Sequence, residues 1–293
     1  MLDVKIQNQA VLVAVNITKW SNAKTDHAIT EEVTLSKGAQ GNMIRVRKNL
    51  IKSAVVKALS RIAGQIRNNL LGDLCAPWGA GEYLLPVELI DQFDREWEKY
   101  EDHWNANLRE LGNEYDNSVD QAQKILGDAF DPSDYPSKEE ILAKYSLSKK
   151  IRNLPSGDDL RIALPQAKLD KMKADIEADV TSSIEGAMQK VHERVAETLA
   201  HLIEKLSEFG VDAKTGKATG VFRDSTVTNL TDLASILPSL NLTGDPKLTE
   251  ASNSLLTQLR DLDPEKIRNS ESHRKEIVTK AKDVADKLSG FFD

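Results

Sequence analysis

The amino-acid sequence predicts a mainly α fold: a long antiparallel coiled-coil hairpin bearing a small β-hairpin head, with a short N-terminal β element before it and C-terminal helices after it. Charged residues make up 29 % of the 293 and aromatics only 5 %, a mixture that suits long solvated helices better than β-sandwiches. Two apolar stripes of near-heptad spacing each persist for about forty residues, enough for roughly 60 Å of helix apiece. Their matched lengths, and a joining segment of about forty residues, are most simply met by a chain that folds back on itself.

The elements follow in order. "AVLVAVNITKW" (Ala10 to Trp20) is rich in Val and Ile, alternates in part, and reads as a strand ending near Trp20. "HAITEEVTLSKG" fits either a short helix or a strand. "RVRKNLIKSAVVKALSRIAGQIRNNLLG" (Arg45 to Gly72) reads as a basic helix over 43–71, because Ile51, Val55, Leu59, Ile62, Ile66 and Leu70 recur at steps of three and four and Gly72 supplies a stop. "CAPWGAGEYLLP" is a Gly/Pro turn segment. The first long helix runs from Val87 to about Leu126 on Ile90, Phe93, Trp97, Trp104, Leu108, Leu111, Tyr115 and Ala122. The second runs from about Leu169 to Phe209 on Met172, Ile176, Val180, Ala187, Val191, Thr198, Leu202 and Phe209. Antiparallel packing would bring Phe209 near Phe93 and set Trp97 and Trp104 in the seam.

The joining segment carries the head, at 128–166. A helix from Ser137 to Tyr145 opens with a Ser-x-x-Glu capping box, and "LSKKIRNL" and "DLRIAL" are two strand-like runs around "PSGD". "GVDAKTGKATGVFRDS" is a turn-rich connector that suits a second hairpin. Three helices close the chain: Ser225 to Leu237, Pro246 to Leu262, and Pro264 to about Leu288. Asp224, Asp245 and Asp263 stand at N-cap positions, and Pro246 and Pro264 at first helical positions. The chain thus divides into an N-terminal β/α region with the basic helix (1–86), the helical hairpin (87–209), and a connector with C-terminal helices (210–293).

Cys75 is the only cysteine, so no intrachain disulfide forms and a Cys-based zinc site within one chain is excluded. A reducing cytoplasm is the simplest setting. The first twenty residues lack a basic start followed by a long apolar run, so no signal peptide is expected. No apolar window approaches the roughly 20 residues of a membrane span, and no membrane partner is expected.

Motifs for chemistry fail on spacing. In "GVDAKTGKATG", Gly210 and Gly216 enclose five residues where a phosphate loop needs four, and Ala218 follows Lys217 where Ser or Thr is required. "HERVAETLAH" puts Ala196 where a zinc-protease helix needs its second His after His192. "GAGEYL" lacks the third Gly of a dinucleotide turn. Asp158 and Asp159 beside Arg161 suit turn capping and surface pairing better than acid–base work, and Cys75 reads as a buried thiol. No catalytic, metal-ligating or cofactor-binding residue is expected, and no cofactor.

The segments "CAPWGAGEYLLP", "LGDAFDPSDYPSKEEILAKYSLS", "LPSGDDLRIAL" and "VFRDSTVTNLTDLASILPSLNLTGDPKL" resemble a family of uncharacterised proteins of tailed bacteriophages and prophages. The shared text is a Pro-Trp turn, an LG…F…DYP stretch, a P-x-x-D-x-R stretch and an FRDS…N-T-GDP stretch, spread from about Leu74 to Leu248. The resemblance implies a phage protein made in a bacterial cytoplasm. It carries over no catalytic residue.

One signal stands out. The chain has a formal charge of −7, yet nothing acidic lies between Glu32 and Asp73. Its basic residues there include Arg45, Arg47, Lys48, Lys52, Lys57, Arg61 and Arg67, and these are the candidate binding residues. A segment so free of carboxylates meets negative charge somewhere. The leading expectation is acidic protein surface, either the chain's own long helices or a second copy. That makes the protein a non-enzymatic binder that works as a homo-oligomer or on a host or phage protein. The rival is DNA, with the basic helix serving phage replication or recombination. An enzyme of unidentified type is the third class.

Overall fold

The computed structural model describes residues 6, 8–41, 43–160, 165–211, 218–259 and 262–289. The Val/Ile run forms β1 (Ala10–Thr18). β2 (Ala23–Asp26) leads straight into α1 (His27–Ser36). The Asp26 side chain accepts from the Ile29 N–H and caps that helix, which decides the ambiguous "HAITEEVTLSKG" in favour of helix. β3 (Val46–Asn49) and α2 (Ala54–Gln65) follow, and the last turns of α2 widen into π-type turns over Ile66–Leu71. β4 (Ala76–Gly79) and β5 (Glu82–Pro86) form a hairpin whose turn, Gly79-Ala80-Gly81, has positive φ throughout, a backbone that glycine reaches without strain. Next come α3 (Ile90–Leu126), α4 (Lys138–Leu142) with a complete Ser137/Glu140 capping box, and β6 (Ser146–Arg152). Then follow α5 (Gln166–Glu208), β7 (Gly210–Val211), β8 (Ala218–Thr219), α6 (Asp224–Leu240), α7 (Pro246–Gln258), α8 (Pro264–Asn269) and α9 (Glu271–Ser289). The protein is mainly helical, with a small antiparallel sheet. Among the described residues no helix is long and apolar enough to cross a membrane.

The chain forms two compact units, each assembled from separated stretches. The first comprises the described residues of Met1–Ala14, Leu71–Gln92 and Ile151–Asp293; the second comprises those of Val15–Leu70 and Phe93–Lys150. In the first, β5 pairs antiparallel with β4 and with the start of β1, in register Leu12↔Leu84 and Val13↔Tyr83. α5 lies against β4, α6 and α9, and α7 packs on α6 and α9. Val180, Ile184, Ala187, Val191, Val195, Leu199, Leu202 and Leu206 form the buried stripe of α5, at about 1.5–3 kcal/mol per large side chain removed from water. Between Gln166 and Asp179 that helix buries no side chain.

In the second unit α3 buries Phe93, Trp97, Trp104, Leu111, Tyr115 and Ala122. Trp20 meets Tyr115 edge-on at 6.3 Å, and Trp104 meets Tyr145 at 6.1 Å. The Tyr115 hydroxyl donates to the Pro136 carbonyl at 2.8 Å. β2 and β3 pair antiparallel, with Lys24 opposite Lys48 and Thr25 opposite Arg47. β6 neighbours β1, where the hydroxyls of Thr18 and Ser146 are 2.7 Å apart. Lys149 lies over the rings of Phe93 and Trp97 and pairs with Asp94.

Several expectations change. The 43–71 stretch is not one helix. Residues 46–49 pair as a strand with β2, and Ser53 caps a helix that starts only at Ala54. Ile51 is buried but outside that helix. In the expected head, β6 pairs with β1, and Gly157–Asp159 is a tight helical turn. The rest of "DLRIAL", residues 161–164, lies outside the described residues. The coiled-coil pairing of the two long helices is not confirmed: α3 from Phe93 onward belongs to the second unit, while α5 belongs to the first, where α9, α6 and β4 cover it. Its buried stripe accordingly includes Ile184, Val195 and Leu199 and leaves Met172 exposed. Asp224 is the first residue of α6, not its cap; it pairs with Arg268.

Candidate functional site: an open basic face in the second unit

The basic residues sit around a fixed link between β3 and α2. Asn22, at φ 50°, donates from Nδ2 to the Ile51 carbonyl and accepts on Oδ1 from the Ile51 N–H, both at 2.9 Å. The Leu50 N–H donates to the Asn22 carbonyl at 3.1 Å, and the Tyr135 hydroxyl donates to the Leu50 carbonyl at 2.8 Å. Ser53 Oγ accepts from the Val56 N–H at 3.1 Å and donates to the Glu114 carboxylate. Lys52 thus projects from backbone held on both sides.

The strand's two-residue period sorts the cations before it. Lys48 turns inward. Its Nζ donates to Asp134 Oδ2 at 2.8 Å and to the Ala129 carbonyl at 2.6 Å, and lies 3.2 Å from Asp26 Oδ2. Lys24 pairs with the other oxygen of Asp134. The hydrogen bond to Asp134 raises the Lys48 pKa above its ordinary value, against the effect of burial. Asp26 is held below its ordinary value by the Ile29 N–H first and by Lys48 second. Burial works against ionisation of Asp134, but Lys24 and Lys48 together outweigh it, so its pKa is also lowered. Lys48 is therefore a structural cation and leaves the set of binding candidates.

Arg45 and Arg47 alternate with Val46 and Lys48 and are exposed. On α2, Lys57 and Arg61 stand one turn apart on the solvent face; Arg67 is exposed on the widened turns. None of Arg45, Arg47, Lys52, Lys57, Arg61 and Arg67 has an ion-pair partner among the described residues. Among the described residues the long helices thus neutralise none of these cations; of the stretch, Lys48 alone is ion-paired, with Asp26 and Asp134. Three carboxylates of α3 have other partners: Asp94 pairs with Lys149, Glu96 with Lys99, and Glu114 accepts from Ser53.

Two of these cations, Lys52 and Lys57, border a groove of about 610 Å³. Its walls carry Asn49, Lys52, Ser53, Lys57 and Ser60, and its floor is Ile51, Val56, Ala122 and Ile125. Lys19 reaches its edge, donating to Ser60 Oγ at 3.2 Å. Positive charge, hydroxyl and amide donors, and an open shape together suit an extended polyanion.

Ser53 was within reach of sequence reasoning, since a Ser directly before an apolar periodic run marks a helix start. The Asn22 clamp and the Asp26/Asp134 pair carry no local signal. Of the other sequence candidates, Cys75 is buried and its thiol is pushed up to about 12 by burial, so it is no nucleophile near neutrality. Asp158 is exposed and pairs with Lys173 at 3.0 Å; Arg161 lies outside the described residues. His192 is buried on α5 with Nε2 3.3 Å from Oδ2 of Asp245, the cap of α7. The connector pairs Gly210↔Thr219 and Val211↔Ala218 as a two-stranded ladder, and residues 212–217 of the failed phosphate-loop motif lie outside the described residues. Comparison with protein-family models, with curated proteins and with solved structures finds no match to this chain.

Proposed function

We propose that this protein is a non-enzymatic binding protein that holds a polyanion, DNA in the first place, along the basic face of its second unit. One observation carries the reading: Arg45, Arg47, Lys52, Lys57, Arg61 and Arg67 are exposed and without ion pairs among the described residues. Cations meant for internal neutralisation would be found beside carboxylates, as Lys48 is. Phosphate contacts from Arg and Lys supply most sequence-independent affinity, and Ser60 and Asn49, which line the groove, would fix register on the backbone. The resemblance to tailed-phage proteins implies a phage protein made in a bacterial cytoplasm, and DNA binding there would serve phage replication or recombination. Fluorescence anisotropy with labelled duplex and single-stranded DNA tests the reading. Affinity is expected to fall steeply with salt. Changing Arg47, Lys52, Lys57 and Arg61 together to Ser should flatten the log–log slope by about one unit for each phosphate left without its cation. Absence of binding at low salt, or an unchanged slope in the folded variant, would sink it.

A second reading, self-association or docking on a host or phage protein, is favoured by the first turns of α5. There Leu169, Met172 and Ile176 share one stripe on which Met172 is exposed and Leu169 and Ile176 are only half-buried. Light scattering on a size-exclusion column should then give a mass above 32.5 kDa, and Met172→Glu should return it to one chain. A monomer at high micromolar concentration rules out self-association.

A further inference from the structure

Arg274, on α9 in the first unit, is 6 % exposed, yet it has no carboxylate partner among the described residues. Its Nη1 donates to the carbonyls of Ile267 and Arg268 at 2.8 and 3.0 Å, and its guanidinium stacks 5.3 Å from the Phe209 ring centroid. The carbonyls at the C-terminal end of α8 and the negative face of Phe209 offset part of the cost of burying the charge. They use one nitrogen and one face. Nε and Nη2 have no hydrogen-bond partner among the described residues, and Arg274 borders an open cavity of about 810 Å³. Two further cations border it, Arg268 and Lys275, against a single carboxylate, Glu271. Both are engaged, Arg268 with Asp224 and Lys275 with Glu271 at 2.7 Å. Buried charges in folded proteins are paired, and the free edge of a guanidinium is a planar fork that matches two oxygens of one group.

We propose that this cavity binds a small molecule through an oxyanion, a carboxylate or a phosphate, seated on Nε and Nη2 of Arg274, with Lys275 at its rim and Phe209 and Val278 as its apolar wall. The site is separate from the basic face of the second unit and does not depend on it.

Calorimetric titration of the full chain with inorganic phosphate and with citrate tests this. Saturable binding is expected at one site per chain; phosphate alone, citrate alone or both would identify which oxyanion fits. Arg274→Lys keeps the charge but removes the fork, and should weaken binding roughly tenfold or more. Lys52→Ser with Lys57→Ser, in the other unit, should leave the affinity unchanged. If circular dichroism shows Arg274→Lys unfolded, the exposed Lys275→Gln takes its place, with an expected loss of a few-fold. No saturable heat for either anion would overturn the proposal. So would unchanged affinity in the folded rim or fork variant, or loss of binding on changing Lys52 and Lys57.

Discussion

Replacing Lys48 by Met separates the two fates of the basic stretch. The Lys48 side chain is 9 % exposed, Asp134 2 % and Asp26 11 %. Met keeps most of the side-chain volume and strands the two carboxylates. Removing one member of a buried ion pair costs about 3–5 kcal/mol. Lys24 still reaches Asp134 from a half-exposed position, so the lower end, about 3 kcal/mol, is expected here. Lys24→Met, which removes the exposed partner, should cost about 1 kcal/mol or less. With a urea dependence of about 1–3 kcal/mol per molar, the Lys48→Met midpoint falls by roughly 1–3 M. Trp20, Trp97 and Trp104 are all buried in the second unit and report its unfolding by fluorescence. The pH dependence follows from the direction of each shift. Lys48 has a raised pKa, so its contribution is complete below the ordinary 10.5 and is lost as pH rises through the higher folded value. Asp26 and Asp134 have lowered pKa values, so theirs is complete above the ordinary 3.8 and is lost as pH falls through the lower folded values. The gap between wild type and Lys48→Met should therefore be flat from about pH 5 to pH 9 and narrow outside that window. The same variant should leave the salt dependence of DNA binding unchanged. Equal losses for Lys48→Met and Lys24→Met would refute the buried-network account, as would a flattened salt slope in Lys48→Met.

Cys75 should resist iodoacetamide at pH 8 in the native protein and react only on denaturation, because burial pushes its thiol up to about 12; mass spectrometry of labelled protein checks this. Asp245→Ala removes a cap that accepts from the Lys247 and Leu248 N–H groups at 2.7 and 3.3 Å, and chemical unfolding should show a loss of about 1–2 kcal/mol. Gly220→Ala should cost more than about 1 kcal/mol, since φ is +86° and a Cβ would lie 2.8 Å from the Glu208 carbonyl oxygen. Gly64→Ala, with open space around its position in α2, should instead stabilise by about 0.5–1 kcal/mol. Thermal melts of the two variants compare them directly.

The helices were legible because their signals are local. The apolar stripe of α3, the Ser137/Glu140 capping box, and the Asp-Pro starts of α7 and α8 are each written within a few residues, and a helix closes its own hydrogen bonds within four. The strong charge of the basic stretch was equally plain in the sequence. Which cation meets which partner was not. Arg47 and Lys48 are chemically near-equivalent neighbours, and only the pairing of β3 with β2 sends one outward and the other onto Asp26 and Asp134. Likewise β6 found a neighbour in β1, far earlier in the chain, and α5 found cover in α9. Strand pairing, ion pairing and helix contacts join groups far apart along the chain, so periodicity can state that a face will be covered but cannot name what covers it.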